Sequence, residues 1–264
     1  MNLVLIGFGA INSRVAALLA ERRPDIRIVA VALHRKKATD RALPHGAEAI
    51  FDSANLARFA PDLVVEAAGR AAIETWAEAA LDCCRTLICA STSAFCDDAF
   101  RIRLEALADA RGGQIVLTPG AVGAMDAVGA AAILPVEDVL HVIRKPPQAW
   151  RGTAASDVTD LDAVTEEIVI FEGSARDAAA RYPQNANAAA TTALAGIGLD
   201  RTRTRLIVDP EATRNCHEIA LRGAAGSFRI VLENAPTAGN PKSSELTALS
   251  LVRLIENRAA SLSI

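Results

Sequence analysis

The stretch "NLVLIGFGAIN", residues 2–12, decides the fold of the first half of the chain. A continuously apolar run ends in Gly7 and Gly9, and a helical pattern follows at residues 11–24. A strand, a glycine turn and a helix in this order begin a βαβ unit. In that context a glycine motif indicates a dinucleotide site, whereas by itself it is a weak signal. Gly7 allows the tight turn, and Gly9 lets the backbone approach a pyrophosphate at the N-terminus of the helix. We therefore predict a dinucleotide site that includes Gly7, Gly9, Ala10 and Ile11.

Two departures from the usual dinucleotide motif bear on the cofactor. Asn12 stands where the third glycine of G-x-G-x-x-G packs the helix against the strand, so we expect a weaker helix–strand contact but an intact phosphate site. The second strand ends in "VALHRKK", residues 31–37, with Arg35 in the region where an acidic residue binds the ribose hydroxyl of NAD. Basic residues there accommodate a 2′-phosphate, so the pattern favours NADP or the use of both NAD and NADP. The alternative is a solvated basic loop that does not touch the cofactor.

The first 120 residues alternate apolar runs with helical patterns. Further strands are predicted at residues 26–34, 61–69, 85–91 and 114–120. Strands that are apolar throughout are typical of a parallel sheet covered by helices on both faces, and the alternation predicts an α/β fold with a doubly wound sheet. Small residues at a strand end leave room for a ligand, which makes Ala68 and Gly69 candidate cofactor contacts. Tight helix–strand packing is the alternative explanation for them.

After residue 120 the strands change character. They alternate apolar and polar residues, which indicates an antiparallel or mixed sheet with one open face. The predicted strands are 138–145, 165–173, 204–210, 215–223 and 226–235, and the predicted helices are 174–183 and 186–199. We therefore predict a dinucleotide-binding domain at 1–120 and an α+β domain at 121–240. The amphipathic segment 241–264 is predicted as a helix that could pack on either domain.

Composition argues against several classes of protein. The net charge is −3 and aromatic residues are 4% of the chain, so neither a basic patch nor stacking platforms suggest nucleic acid as a partner. No apolar run reaches the ~20 residues of a membrane helix, and the N-terminus lacks the features of a signal peptide. The five cysteines lack zinc-like spacing. We interpret them as reduced thiols, and we expect no metal site and a cytoplasmic protein.

In the second half of the chain, polar residues occupy positions at which a hydrophobic core requires no polar side chain. Lys145 ends a predicted strand, and Asn185 and Asn187 lie at the start of an alanine-rich helix, whose N-terminus favours an anion. His217 shares a strand face with Asn215 and with two apolar residues, where a core side chain would otherwise sit. From the residues alone, a structural histidine and an exposed strand-end lysine remain alternatives. The other three histidines are interpreted as surface or structural residues: His34, His45 and His141.

At this point the chain resembles the L-aspartate dehydrogenase family over essentially its whole length. The middle and late blocks are the specific ones, because the glycine motif alone fits many dehydrogenases. The resemblance rests on "GFGAI" (7–11), "PGAVGAMDA" (119–127), "RKPPQAWRGT" (144–153), "GSARDAAARYPQNANAAAT" (173–191), "LIVDPEATRNCHEI" (206–219) and "NPKSSELTALSLVRLI" (240–255).

The resemblance implies a Rossmann-type first domain and an α+β second domain that carries substrate groups and the interface of a homodimer. It implies the reversible conversion of L-aspartate, NAD(P)⁺ and water into oxaloacetate, ammonia and NAD(P)H through iminoaspartate, which could supply NAD biosynthesis. The family's catalytic histidine corresponds to His217, and its nicotinamide-side contacts correspond to Ala121 and Asn187. We expect the substrate to be bound by Lys145, Asn185 and Asn215.

Two other functions stay open at this stage. One is another amino-acid dehydrogenase of homoserine-dehydrogenase-like architecture, which the two-domain plan also fits. The other is a non-catalytic cofactor sensor, which would keep the glycine turn but has no need for a histidine facing the cleft. The sequence favours catalysis.

Overall fold

The computed structural model describes residues 1–34, 42–183, 185, 187–237 and 240–263, which form two compact units. Unit 1 comprises Met1–Thr118 and Ala248–Ile264, and unit 2 comprises Pro119–Thr247. The division after Thr118 lies two residues before the boundary predicted at residue 120. Among the described residues, no helix has the length and apolar character needed to cross a membrane.

Unit 1 contains a six-stranded parallel sheet in the order β3-β2-β1-β4-β5-β6. The predicted doubly wound, Rossmann-type sheet is therefore confirmed. Its order reverses between β1 and β4, and ligands of such sheets bind at the carboxyl ends of the strands beside that reversal. Its strands are β1 (Asn2–Ile6), β2 (Arg27–Ala32), β3 (Glu48–Ile50), β4 (Leu63–Glu66), β5 (Thr86–Cys89) and β6 (Gln114–Leu117), and its first helices are α1 (Ala10–Arg22), α2 (Arg70–Cys83) and α3 (Asp98–Arg111).

Unit 2 is built on a five-stranded mixed sheet in the order β11-β10-β7-β9-β8, in which β7 and β9 are parallel and the other pairs are antiparallel. Each strand was predicted from its alternation, whereas the short helices α4 and α5 and a two-stranded sheet were not. The elements are α4 (Met125–Ala131), β7 (Val136–Lys145), α5 (Pro147–Trp150), β8 (Ile168–Ser174), α6 (Ala175–Arg181), α7 (Asn187–Ala195), β9 (Arg203–Val208), β10 (Asn215–Gly223), β11 (Gly226–Asn234), β12 (Pro236–Thr237) and β13 (Asn240–Ser244).

The two faces of the unit 2 sheet differ in exposure, as the alternating pattern predicts. On β10 the side chains of His217, Ile219 and Leu221 are buried, and those between them are partly exposed. Helix α6 packs against β8 and β9, and α7 packs against α4 and α6. The buried face of β10 therefore carries a histidine in line with its apolar core residues.

The last helix, α8 (Glu245–Ala259), belongs to the core of unit 1. It was predicted at 241–264, but residues 240–244 pair with β12 as strand β13, so the helix begins at Glu245. Its buried apolar residues follow the i, i+3, i+4, i+7 spacing of one helix face. They join the cluster that contains Leu3 and Leu5 of β1, and they are Ala248, Leu251, Val252 and Ile255. Of the two predicted alternatives, the helix therefore packs in unit 1.

Candidate active site

The glycine turn after β1 has a geometry that only glycine fits. Gly7 has φ +82°, and a Cβ built on it would lie 2.4 Å from the Cβ of Ala68, in the turn after β4. Gly9 precedes α1 as its N-cap without a side-chain capping bond, and a Cβ on Gly9 would have open space around it. The first turn of α1 contains no acidic residue. These residues fit the pyrophosphate of a dinucleotide, which the backbone N–H groups and the dipole at the N-terminus of α1 would bind.

Asn12 corrects the expectation of a weaker helix–strand contact. Its side chain is fully buried, and its Nδ2 donates hydrogen bonds to the carbonyl oxygens of Ile6 (3.0 Å) and Gly7 (2.8 Å). A glycine at this position packs closely but makes no such bonds. Asn12 therefore ties α1 to the end of β1 and to the glycine turn, through contacts that only a side chain provides.

Glu66 is a buried carboxylate at the end of β4 that sequence reasoning missed. Its Oε1 accepts hydrogen bonds from the backbone N–H groups of Ala68 (2.7 Å) and Gly69 (2.9 Å) and from the hydroxyl of Ser91 (2.7 Å). Its Oε2 accepts a bond from the N–H of Ser91 at 3.1 Å. Burial raises the pKa of Glu66, although these hydrogen bonds oppose the change. The carboxylate fixes the turn that contains the predicted cofactor contacts Ala68 and Gly69. In the sequence, the signal for Glu66 is an acidic residue within an otherwise apolar strand.

Arg35, the predicted contact of a 2′-phosphate, lies outside the described residues, as do Lys36 and Lys37. The chain before them is described as far as His34, which is exposed after the end of β2. The prediction of NADP or dual use therefore stays a prediction.

The buried face of the unit 2 sheet brings two histidines together. His217 on β10 pairs with Ile143 in the strand register, and Ile219 pairs with His141 on β7, so the two histidines share one face. The Nε2 of His141 lies 3.1 Å from the Nδ1 of His217, and the two residues are 0% and 2% exposed. His141 was interpreted as a surface or structural residue, and its burial excludes the surface alternative. It is a buried partner of the candidate catalytic histidine.

The histidine pair is extended by a threonine from helix α7. The Oγ1 of Thr192 lies 3.0 Å from the Nδ1 of His141, and it also donates a hydrogen bond to the carbonyl oxygen of Ala188 at 3.1 Å. Burial lowers the pKa of His141 to about 3. The pKa of His217 is well below its usual value because of burial, and the neighbouring His141 and Lys145 lower it further. Both rings are therefore neutral near pH 7.

Lys145, at the end of β7, is buried, so the alternative of an exposed strand-end charge does not hold. It is 5% exposed, its Nζ donates a hydrogen bond to Asn185 Oδ1 (2.9 Å), and it lies 5.6 Å from the centroid of the Trp150 ring. Asn185 is equally buried, and its Nδ2 has no hydrogen-bond partner among the described residues. A buried ammonium beside a buried amide whose donor has no partner among the described residues can bind a carboxylate.

The remaining predicted site residues of unit 2 lie on neighbouring elements. Asn215 is buried two residues before His217 and pairs with Asn234 of β11 in the strand register. Asn234 in turn donates a hydrogen bond of 2.7 Å to the carbonyl oxygen of Ala121. Asn187 is the first residue of α7, is partly exposed, and accepts a bond from the hydroxyl of Thr191 through its carbonyl oxygen at 2.9 Å. The side-chain amide of Asn234 thus links the backbone of Ala121 to the β10–β11 pair.

No group of three or more potential metal-binding side chains occurs among the described residues. None of the five cysteines forms a disulfide bond. Burial raises the pKa of Cys83 to about 12 and that of Cys84 to about 11, which keeps both protonated and unreactive at neutral pH.

Comparisons with known proteins agree along the whole chain. A family model described as "Aspartate dehydrogenase, C-terminal" matches residues 126–258, and one described as "Homoserine dehydrogenase, NAD binding domain" matches residues 7–118. The L-aspartate dehydrogenase of Brucella anthropi is 51% identical over 259 residues, which cover 98% of this chain and 97% of that protein. The L-aspartate dehydrogenase of Pseudomonas aeruginosa is 44% identical over 100% of both chains.

Solved structures show the same fold. The crystal structure of aspartate dehydrogenase from Thermotoga maritima matches with a TM-score of 0.76 at 23% identity, covering 100% of this chain and 99% of that one. A homoserine dehydrogenase from Thiobacillus denitrificans matches with a TM-score of 0.62 at 14% identity, covering 99% and 74%. At such identities the match concerns architecture, whereas the curated relatives are similar enough in sequence to assign a family. The chain belongs to the L-aspartate dehydrogenase family.

Proposed function

We propose that this protein catalyses the NAD(P)-dependent oxidative deamination of L-aspartate. One water is consumed, and the products are oxaloacetate, ammonium, NAD(P)H and one proton. The observation that carries the proposal is a buried, neutral His217 on a sheet face that also holds a buried cation, Lys145. Family membership and the glycine turn of unit 1 support the cofactor, and the reaction could supply iminoaspartate for NAD biosynthesis.

The proposed role of His217 is that of a general base. Bound NAD(P)⁺ would supply the hydride acceptor for the Cα of the substrate. A neutral imidazole can take up the proton that the substrate ammonium loses before oxidation. The proton that water loses on attacking the imine leaves with the departing ammonia as ammonium, so one proton is released overall. Because burial holds His217 neutral, it is in its accepting form at neutral pH.

The proposed substrate contacts follow from the charge of aspartate, which has two carboxylates. Lys145 and the unused Nδ2 donor of Asn185 are assigned to one carboxylate. Asn215, on the same strand face as His217, is assigned to orienting the substrate. The proposed cofactor contacts are Gly7, Gly9, Ala10, Ile11, Ala68 and Gly69 in unit 1, Ala121 and Asn187 on the nicotinamide side, and Arg35 at the ribose.

We propose a homodimer formed through the more exposed face of the unit 2 sheet. This face carries Val231 and Val169, which are 52% and 50% exposed, and a half-buried Leu140 between them. Ion pairs such as Arg229–Glu218 and Arg203–Asp138 lie around these apolar residues. An apolar centre with a polar rim is typical of subunit interfaces. Light scattering of the purified protein, with Val231→Glu as the disrupting variant, tests the dimer.

A cytoplasmic location is proposed because five cysteines that form no disulfide bond fit a reducing compartment.

The experiment for the activity is a spectrophotometric assay of nicotinamide reduction with purified protein and L-aspartate, run separately with NAD⁺ and NADP⁺. Reduction with either cofactor is the expected result, and the ratio of the two rates measures cofactor preference. The reverse reaction, with oxaloacetate, ammonia and NAD(P)H, detects an enzyme that favours amination.

A parallel assay with L-homoserine separates the alternatives. Turnover of homoserine and not of aspartate would support the homoserine-dehydrogenase-like function. Cofactor binding without turnover of any amino acid in either direction would refute an enzyme and favour a sensor.

A further inference from the structure

The hydrogen bonds around His141 have a direction that follows from counting hydrogens. A threonine hydroxyl has one hydrogen and can also accept. Thr192 uses its hydrogen on the carbonyl oxygen of Ala188, which can only accept, at 3.1 Å. In the 3.0 Å contact between Thr192 Oγ1 and His141 Nδ1, the hydroxyl oxygen must then be the acceptor. His141 therefore carries its hydrogen on Nδ1.

The same counting of hydrogens determines the tautomer of His217. A neutral imidazole has one N–H, so His141 with a hydrogen on Nδ1 presents a lone pair at Nε2. That lone pair lies 3.1 Å from the Nδ1 of His217, so the hydrogen of this bond belongs to His217. His217 is neutral as well, which leaves the lone pair of His217 on Nε2.

We propose that His141, held by Thr192, is a positioning residue that locks His217 in the Nδ1–H tautomer and makes Nε2 of His217 the atom that accepts the proton. The catalytic part of this inference rests on the proposed function. The neutral side chain of histidine in water favours a hydrogen on Nε2, so His217 without such a partner would present mainly an N–H, and not a lone pair, at that position. In the serine protease triad, an incorrect tautomer of the histidine lowers turnover by about 10⁴-fold.

The neighbourhood of the pair offers a matched control. Thr204 of β9 pairs with His141 in the parallel register of β7 and β9, and it is 0% exposed. Its hydroxyl has no hydrogen-bond partner among the described residues. Thr192→Val and Thr204→Val therefore remove the same group beside the same histidine, but only the first removes the acceptor of the Nδ1 hydrogen.

The direct test is the tautomeric state, measured by long-range ¹H–¹⁵N correlation spectra of protein labelled with ¹⁵N-histidine. The chain has four histidines, so the signals can be assigned with His141→Gln and His217→Gln variants. We expect His141 and His217 to be neutral with hydrogen on Nδ1. Hydrogen on Nε2 of His217 in the wild-type protein would overturn the proposal, whatever the activity.

The functional test compares two variants of His141. His141→Leu removes the acceptor and is expected to lower kcat about 10²-fold while the KM for aspartate and the cofactor Kd stay within about twofold. His141→Gln keeps an amide oxygen that can accept from His217, and it should recover most of that loss. Thr192→Val should lower kcat and shift the His217 signals, and Thr204→Val should do neither.

The outcomes separate this proposal from the proposed function. Unchanged kcat in both His141→Leu and Thr192→Val would overturn the positioning role even in an active aspartate dehydrogenase. If His141→Leu fails to fold, the wild-type spectrum and the two threonine variants still decide. The predicted tautomers in a protein that turns over no amino acid would support the locked ring and refute only the proposed function.

Discussion

Acidification is expected to destabilise unit 2 through its two buried histidines. Burial lowers the pKa of His141 to about 3, against an ordinary value of about 6.5. Because the folded-state pKa is lowered, the unfolded chain binds the proton first as the pH falls, so stability is full above pH 6.5 and is lost below it. At pH 5, about 1.5 units below the unfolded pKa, the loss is about 2 kcal/mol at roughly 1.4 kcal/mol per unit.

His217 acts in the same direction, because burial also lowers its pKa. Two such groups would remove a large fraction of the 5–15 kcal/mol, roughly, by which a domain is stable. His141→Gln removes the titrating group and keeps an acceptor for His217. The free energy of unfolding of this variant should fall by about 2 kcal/mol less between pH 7 and pH 5 than that of the parent protein.

The two tryptophans make unit 2 observable by itself. Trp76 lies on α2 in unit 1, whereas Trp150 is fully buried in unit 2 and donates hydrogen bonds to the carbonyl oxygens of Ile207 and Lys145. In a Trp76→Phe background, the fluorescence of Trp150 therefore follows the unfolding of unit 2 in urea at each pH. Equal loss of stability on acidification with and without His141 would refute the reasoning, since it would mean that His141 is protonated in the folded state.

The remaining predictions concern the two candidate clusters. His217→Ala should lower kcat on the order of 10²-fold and leave the Kd of the cofactor nearly unchanged. Steady-state kinetics and cofactor titration measure the two quantities, and an unchanged kcat would remove His217 from the mechanism. Lys145→Met should raise the KM for aspartate more than it lowers kcat, and the reverse pattern would make Lys145 the proton carrier. Asn12→Gly restores the usual motif but should destabilise unit 1 by about 1–3 kcal/mol in urea unfolding, because two buried bonds are lost; a stabilised variant would contradict this. Glu66→Gln should weaken cofactor binding and lower the free energy of unfolding of unit 1, because an amide N–H₂ would face the N–H of Ser91. Unchanged cofactor affinity would show that the turn after β4 does not depend on the carboxylate.

Much of the fold could be predicted from the sequence because burial leaves periodic patterns. The continuously apolar strands of unit 1 and the alternating strands of unit 2 were both recognised from the period of their apolar residues. Strand β3 has three residues and α5 has four, which is too short for a period to be visible. The start of α8 was misplaced because pairing with β12, a tertiary contact, holds residues 240–244 in a strand.

Residues of the candidate site could be predicted only where the residue and its own strand were enough to select it. His217 and Lys145 could be selected from their own strands, but the partner of His217 depends on how two strands pair. His141 meets His217 because β7 and β10 are adjacent, with Ile143 opposite His217. That register is not contained in either strand alone, so His141 was left among the unremarkable histidines. Asn12 was misjudged for a similar reason, since a motif records what glycine permits and not what another side chain can bind.

The charges of unit 2 explain why the histidines need to be neutral. Aspartate has two carboxylates and one ammonium, and under the proposed function the buried face of the sheet would meet them with the cation of Lys145 and two uncharged rings. A protonated His217 would add a second positive charge beside Lys145, and it would have no lone pair with which to accept a proton. Desolvation and the nearby ammonium both oppose that protonation, so the features proposed to bind the anionic substrate would also keep the proposed base available. A dicarboxylate bound beside His217 would have the opposite effect, because a nearby negative charge favours the protonated ring.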